Sequence, residues 1–526
     1  MSNKSQPTSL DAKTPDPSSL ERNESNIHGS VADVDLTVLG LEPEAQRDIG
    51  MLEIIAIGWN ICNSWGAMGA TMALSIASGG SVTLIYGMMI IFLLVGSSAA
   101  SLAEIASVYP TAGGQYHWTS ILSPPKYSRV LSYCCGAANV FGWISNGAGF
   151  CIIPPQLIAG MIAFYNPDYA PTAWHIFLMF QASNITWMCY NIFLIKRTNW
   201  IHDVGFVFSI AGFFVTLITC LARSSSFQSN EFVWKTFVNN SGWSSDSIVF
   251  LTGLTNPNYI YSGIDGAIHL AEECKDAAKT VPKALMSTIF IGFITSFAFA
   301  VAMLYCISDF DAVLATSTGI PLYEIWNQAT RSGTAATLFI TCLVGCGFFA
   351  MIGCQQTASR LTWSFARDNA IVGSHWLDQI HPRYGVPVWA LLANSAIVFI
   401  IGCIYLGSTT AFNAMISTGL ILQQISYAMP TALLMYRGRS PRFLPSNRSF
   451  KLGPFGWIAN FATVLMAAIA VIFYNFPTVM PVTSSNMNYA SAVLGTMGLF
   501  TIGNWFGYAN KRYEGPRVPG EVFCSS

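Results

Sequence analysis

Apolar residues in this chain gather into long blocks separated by short polar stretches, with little of the one-in-two alternation of a half-buried strand. A block of roughly 20 residues wound as a helix spans about 30 Å of hydrocarbon. Twelve such blocks are predicted, near 52–77, 83–103, 132–160, 174–195, 201–222, 247–271, 285–306, 335–364, 388–406, 410–436, 455–475 and 489–508. Ten-residue alternating segments are absent, so helices rather than a closed barrel must satisfy the backbone within the bilayer. The expected fold is an all-α integral membrane protein.

Composition agrees. Among 526 residues there are 25 Lys and Arg and 26 Asp and Glu, or 10% charged, against about 25% in an average soluble protein. Hydrophobic residues make up 52%, including 35 Phe and 15 Trp, which leaves too little polar surface to dissolve several domains in water. The net charge of -1 gives no reason to expect nucleic acid as a partner; the lipid bilayer is the expected surroundings. Residues 1–50 differ from the rest, with nine acids, four bases and much Ser, Pro and Asn. They read as a disordered acidic cytoplasmic tail without the apolar core of a cleaved signal. Residues 51–508 form the expected membrane domain, and 509–526 a short second cytoplasmic tail. Most of the 13 cysteines lie inside apolar blocks without metal-ligand spacing, so no disulfide framework, metal or cofactor is expected.

With the acidic tail placed inside, 22 of the 25 Lys and Arg fall on the cytoplasmic side, and only Arg223, Lys235 and Arg331 fall outside. This positive-inside bias predicts both termini in the cytoplasm. The sequon at Asn239 is then extracellular and a glycosylation candidate, whereas the one at Asn184 lies within a span.

Two spans carry helix-breaking residues at mid-depth. The first reads Asn60-Ile61-Cys62-Asn63-Ser64-Trp65-Gly66, the sixth Asn256-Pro257-Asn258-Tyr259-Ile260-Tyr261-Ser262-Gly263-Ile264-Asp265-Gly266. Small residues also serve close helix packing, but interruptions at the first helix of each of two five-span halves point to a site between inverted repeats, about 51–222 and 247–436. Exposed N–H groups near Ser64 to Gly66 suit a carboxylate; carbonyls and aromatic faces near Tyr259 and Tyr261 suit an ammonium. Asn63, Trp65, Ser262 and Gly263 complete the candidate binding set. Asp265 is the one acid placed well inside a span, so it is expected to face a cavity and to bind a cation, carry a proton or act as a gate. His269 stands one helical turn further, positioned to exchange a proton with it. Trp143, Phe348 and Phe349, together with Trp65, Tyr259 and Tyr261, are candidates for a common aromatic lining.

Three motifs then point to a family. The stretch from Ser101-Leu102-Ala103-Glu104 through Tyr109-Pro110-Thr111-Ala112-Gly113-Gly114-Gln115-Tyr116 resembles the signature after span two of amino acid permeases. Ser262-Gly263-Ile264-Asp265-Gly266-Ala267-Ile268-His269 through Glu272-Glu273 looks like the broken sixth helix of the amino acid-polyamine-organocation superfamily, and Ala358-Ser359-Arg360 through Ala366-Arg367-Asp368 is a third match. With Asn63-Ser64-Trp65, these most resemble the fungal amino acid/choline branch. The resemblance implies a LeuT-like 5+5 inverted repeat with broken helices 1 and 6 and two extra helices at 455–508. It implies alternating access and proton coupling, a substrate-contacting aromatic at Tyr259 and an acidic gate at Asp265. It also implies inner-face roles for Glu104, Arg360 and Arg367, the arginines pairing with Glu272 or Glu273. Span five lacks the lysine that some relatives carry, which moves attention for proton coupling to Asp265 and His269.

The expectation is a plasma-membrane permease importing choline, GABA (gamma-aminobutyrate) or another small amino acid or amine, with the proton as coupling ion. A non-transporting nutrient sensor of the same fold is the alternative. An enzyme is not expected, since no HExxH, histidine box or Ser/His/Asp constellation occurs at depth. The tail lysines Lys4 and Lys13 are candidate acceptors for ubiquitination machinery.

Overall fold

The computed structural model describes residues 47–516 other than Ser78, Pro167, Asn199 and Ser485. The tail through residue 46, with Lys4 and Lys13, and residues 517–526 lie outside the described residues. The principal helices are α1 (Met51–Cys62), α2 (Ser64–Ala77), α3 (Gly80–Ala106), α4 (Gln115–Leu122), α5 (Ser128–Tyr165), α6 (Ala173–Phe193), α7 (Ile201–Arg223), α8 (Asp246–Gly253), α9 (Gly266–His269), α10 (Ala277–Cys306), α11 (Gly333–Arg367), α12 (Val388–Gly407), α13 (Thr409–Tyr436), α14 (Phe455–Phe473) and α15 (Ala490–Asn504). Every predicted apolar block is helical. Seven helices, α3, α5, α7, α10, α11, α12 and α14, are by themselves long and apolar enough to cross a membrane. Of the other blocks, the first and sixth are divided, and α15 has only 15 residues before a π turn at Trp505–Ala509. Among the described residues there is no β-strand, and the bridge between Ile49 and Cys274 is an isolated one.

Local chemistry sets several helix starts. Ser332 and Ser408 each accept an N–H from three residues on, Ala335 at 3.3 Å and Ala411 at 3.1 Å, satisfying donors that the helix itself leaves free. Packing then depends on small residues. The 38-residue α5 runs against both α11 and α13. Where it crosses α13, Gly142 and Gly419 face each other so closely that a Cβ on Gly419 would lie 3.2 Å from the Gly142 carbonyl oxygen. Such backbone approach lets helices gain dispersion contact in lipid, where the hydrophobic effect between them is weak. The divided first span sits inside the bundle: α1 packs on α7, α10 and α11, and α2 packs on α10 and α3.

Candidate functional site

Both predicted interruptions are present, and they touch. α1 stops at Asn63, which takes the left-handed conformation (φ 33°) that Asn tolerates better than most residues, while its N–H donates to the Trp59 carbonyl at 2.7 Å. α2 begins at Ser64, but its ladder opens only with the Ala67 N–H on the Asn63 carbonyl at 3.0 Å. The N–H groups of Ser64, Trp65 and Gly66 therefore have no acceptor within the helix. In the sixth span, α8 gives way to a short turn containing Pro257 and a 3₁₀ turn at Tyr259–Tyr261; the chain then extends at Ser262 and turns left-handed at Gly263 (φ 79°) before α9. A Cβ on Gly263 would meet Ile61 Cγ2 at 2.7 Å, so glycine lets the two breaks approach. Across that contact Ser64 Oγ donates to the Ile260 carbonyl at 2.7 Å and Cys62 Sγ to the Ser262 carbonyl at 3.5 Å.

A cavity of about 340 Å³ borders the first break. Its wall includes Cys62, Asn63, Gly66, Phe150, Gln156, Cys346 and Tyr405, and it reaches Pro171 and residues Thr318 to Leu322. Of the candidate binding residues, Asn63 and Gly66 line it. Ser64 is fully buried at the contact between the breaks. Trp65 points away from the cavity: its Nε1 donates to Ser209 Oγ on α7 at 3.0 Å, and its ring packs on Phe213 and Phe299. Ser209 in turn donates to Asn63 Oδ1 at 3.1 Å, so the tryptophan helps hold the break from behind. Tyr261 is buried against Gly292 of α10. Tyr259 lines a separate cavity of about 450 Å³ with Asn256, Asn413 and Ser417. The common aromatic lining is not found: Trp143 meets Asp265, Phe348 packs on Trp187 and Tyr190 of α6, and Phe349 on Phe208 of α7. Gln156 and Cys346 were not among the candidates. A glutamine directly after Pro154-Pro155 in an apolar block was the available signal for the first; Cys346 reads in sequence as one more small apolar residue.

Asp265 does not face this cavity. It is completely buried, and its carboxyl is enclosed by partners from four elements. Oδ1 accepts from Tyr427 Oη at 2.7 Å; Oδ2 accepts from Gln115 Nε2 at 2.8 Å and Trp143 Nε1 at 3.2 Å, and lies 3.1 Å from His269 Nε2. The sequence argument for a cavity rested on the cost of a carboxylate at depth; the protein meets that cost with hydrogen bonds instead. Ser262 and Gly263 likewise belong to the packed break. Asn239 is exposed between α7 and α8, its amide donating to Asp246 Oδ1 at 2.9 Å.

At the bundle end opposite Pro171 and Thr318, acids and bases pair. Glu273 holds Lys196 at 2.6 Å and Arg360 at 2.7 Å; Glu272 takes both terminal nitrogens of Arg367 at 3.0 Å and the Ala112 N–H at 3.0 Å. Glu104, fully buried, accepts from Arg439, from Arg448 and from the Leu452 N–H. Arg360 and Arg367 each thus meet a glutamate that follows the sixth span, as the resemblance implies. Burial by itself raises the Glu273 pKa, but Arg360 and Lys196 outweigh it and hold the carboxyl down at about 2. The Ile49 N–H on the Glu273 carbonyl and the Lys275 N–H on the Ile49 carbonyl, both 3.0 Å, tie the segment before α1 to the same place.

A helical bundle with two touching helix interruptions, a cavity at one of them and a closed opposite end defines a multi-pass membrane transporter. Comparison with known proteins agrees. The amino acid permease family model matches residues 49–499. A choline transporter of Saccharomyces cerevisiae is 35% identical, the alignment covering 88% of this chain and 82% of that protein. A putative amino acid/polyamine transporter of Macrophomina phaseolina is 33% identical over 84% of this chain and 97% of its own length, and a 7-keto 8-aminopelargonic acid transporter of S. cerevisiae is 28% identical over 86% and 90%. The chain belongs to the amino acid permease family.

Proposed function

We propose that this transporter imports a small zwitterion or cation of the choline, GABA or amino-acid class by proton-coupled alternating access. One observation carries the reading: the cavity runs from the first helix break toward the loops at one end of the bundle, while glutamate–arginine pairs close the other end. In this reading a substrate carboxylate meets the N–H groups of Ser64 to Gly66 beside Asn63, where the partial positive end of α2 favours an anion. An ammonium group is met by the ring of Tyr405 and by polar atoms of Gln156. Trp65, Tyr261, Ser262, Gly263 and Asp265 act behind the wall, by holding the breaks together. Residues 51–222 and 247–436 serve as the two moving halves, and Asp265 with His269 is the coupling site. The paired end faces the cytoplasm of a plasma-membrane protein, and Asn239 is glycosylated outside.

The test is accumulation of labelled choline, GABA and common amino acids in a permease-deficient yeast, with and without a proton uncoupler. Concentrative, uncoupler-sensitive uptake of one of them is expected. Binding without accumulation would favour a sensor and overturn the proposal, and uptake indifferent to the uncoupler would remove the proton from it.

A further inference from the structure

The hydrogen bonds around Asp265 form a chain in which each contact constrains the next. Gln115 presents its amino group to Asp265 Oδ2 at 2.8 Å, beside the Trp143 indole N–H on the same oxygen and the Tyr427 hydroxyl on Oδ1. Its carbonyl Oε1 is then left to accept from Asn139 Nδ2 at 3.1 Å. That orientation places the same Asn139 amino group 3.2 Å from His269 Nε2. On the other side of the imidazole, Nδ1 lies 2.8 Å from the Ala112 carbonyl, which can only accept. Nδ1 therefore carries a hydrogen, and the tautomer follows from the backbone of the segment between α3 and α4.

Nε2 now faces two neighbours. The Asn139 amino group can only donate to it, which requires a lone pair on Nε2. Asp265 Oδ2, 3.1 Å away, must then supply the hydrogen that lies between them. An ionised carboxylate would set two lone pairs against each other; an imidazolium would direct its one Nε2–H at the carboxylate and leave a hydrogen of the Asn139 amino group facing that N–H. A protonated Asp265 carboxyl directed at the bare Nε2 of a neutral His269, whose single lone pair it shares with the Asn139 amino group, sets neither two hydrogens nor two lone pairs against each other.

We infer that the Asp265–His269 pair holds a single proton on the Oδ2–Nε2 line, carried by the carboxyl, and that this is the loaded form of the coupling site. The inference rests on the proposed proton coupling for its role and on geometry alone for the protonation state. Other titratable side chains facing the pair are Tyr427 from α13 and Cys62 from α1. α5 presents the neutral Asn139 and Trp143, and α4 the neutral Gln115. The charged Glu272, three residues beyond His269, is taken up by Arg367. Losing the proton leaves one negative charge in a site with no exposed surface, so release requires water or a substrate cation to reach it. Ala112, in the segment between α3 and α4, and Gln115, the first residue of α4, bear two of the contacts, so withdrawal of this segment from α9 would open the site and couple its position to the proton.

The experiment uses the purified full-length protein in lipid nanodiscs with ¹⁵N-labelled histidine, comparing wild type with His269→Gln to assign the signal. At pH 7, solid-state NMR is expected to show His269 neutral, with hydrogen on Nδ1 and a bare Nε2. Infrared difference spectra are expected to show a protonated-carboxyl band that Asp265→Asn abolishes. A His269 imidazolium, a hydrogen on Nε2 with Nδ1 bare, or no carboxyl band in the wild-type protein would each overturn the inference. In Asn139→Leu the donor into Nε2 is gone, so the proton is expected to move toward His269 and give an imidazolium signal; a purely structural role for Asn139 would leave the tautomer unchanged. The wild-type spectra decide the matter even where a variant fails to fold. They are also independent of uptake, so a transport assay that refutes proton coupling leaves the protonation state separately measurable.

Discussion

Replacing Gly263 by alanine perturbs the contact between the two helix interruptions with a single methyl group. The residue has φ 79°, and an added Cβ would lie 2.7 Å from Ile61 Cγ2 and 3.1 Å from Trp143 Cη2. Left-handed backbone costs an alanine about 1–2 kcal/mol. Forcing a methyl into a packed site costs about 1–3 kcal/mol more, because neighbouring side chains must leave their rotamers. The expected loss is therefore about 2–5 kcal/mol. Gly438→Ala supplies the control: its φ is 65° but nothing lies within 4 Å, so only the backbone cost of about 1–2 kcal/mol applies. Apparent Tm by fluorescence-detected size exclusion should fall further for Gly263→Ala than for Gly438→Ala, and solute uptake should fall with it. Equal shifts in the two variants would refute the claim that the breaks are in contact at Gly263.

Other consequences follow from the same geometry. Ser64→Ala removes the 2.7 Å bond to the Ile260 carbonyl and should cost about 1 kcal/mol, visible as a lower Tm and slower uptake in a protein that still reaches the membrane. Glu273→Gln leaves Arg360 buried without its counter-charge, for an expected loss of about 3–5 kcal/mol. The pH dependence follows from the same carboxyl. Its folded pKa, about 2, lies below the ordinary 4.5, so its stabilisation of roughly 3 kcal/mol is complete above pH 4.5 and disappears as pH falls toward 2. Wild-type Tm should drop over that window and the drop should be smaller in Glu273→Gln; equal acid limbs would remove the ion pair from the account. Cys346→Trp should fill the cavity and abolish uptake while the protein remains monodisperse, and unimpaired uptake would place the substrate elsewhere. Asn239→Gln should remove any glycosidase-sensitive shift on gels, whereas a persistent shift would point to another acceptor.

The all-α membrane class, the position of every helical block and the two interruptions were determined by the sequence alone. Each is a local property: apolar length sets a span, and Asn63, Pro257 and Gly263 disturb a helix wherever the chain goes. The partners of the sixth-span motif were partly legible too, since Glu272 and Glu273 meet Arg367 and Arg360. Only the tertiary structure decided which side of the breaks faces open space. Hydropathy cannot distinguish a tryptophan toward a cavity from one toward α7, and Trp65 is the latter. Nor can it show what compensates a deep carboxyl group. The donors to Asp265 come from positions 122 to 162 residues away, on α4, α5 and α13. A carboxyl in the membrane must be satisfied by something, and sequence requires only that; whether by a cavity, a cation or three neutral donors and a histidine depends on which helices fold against it.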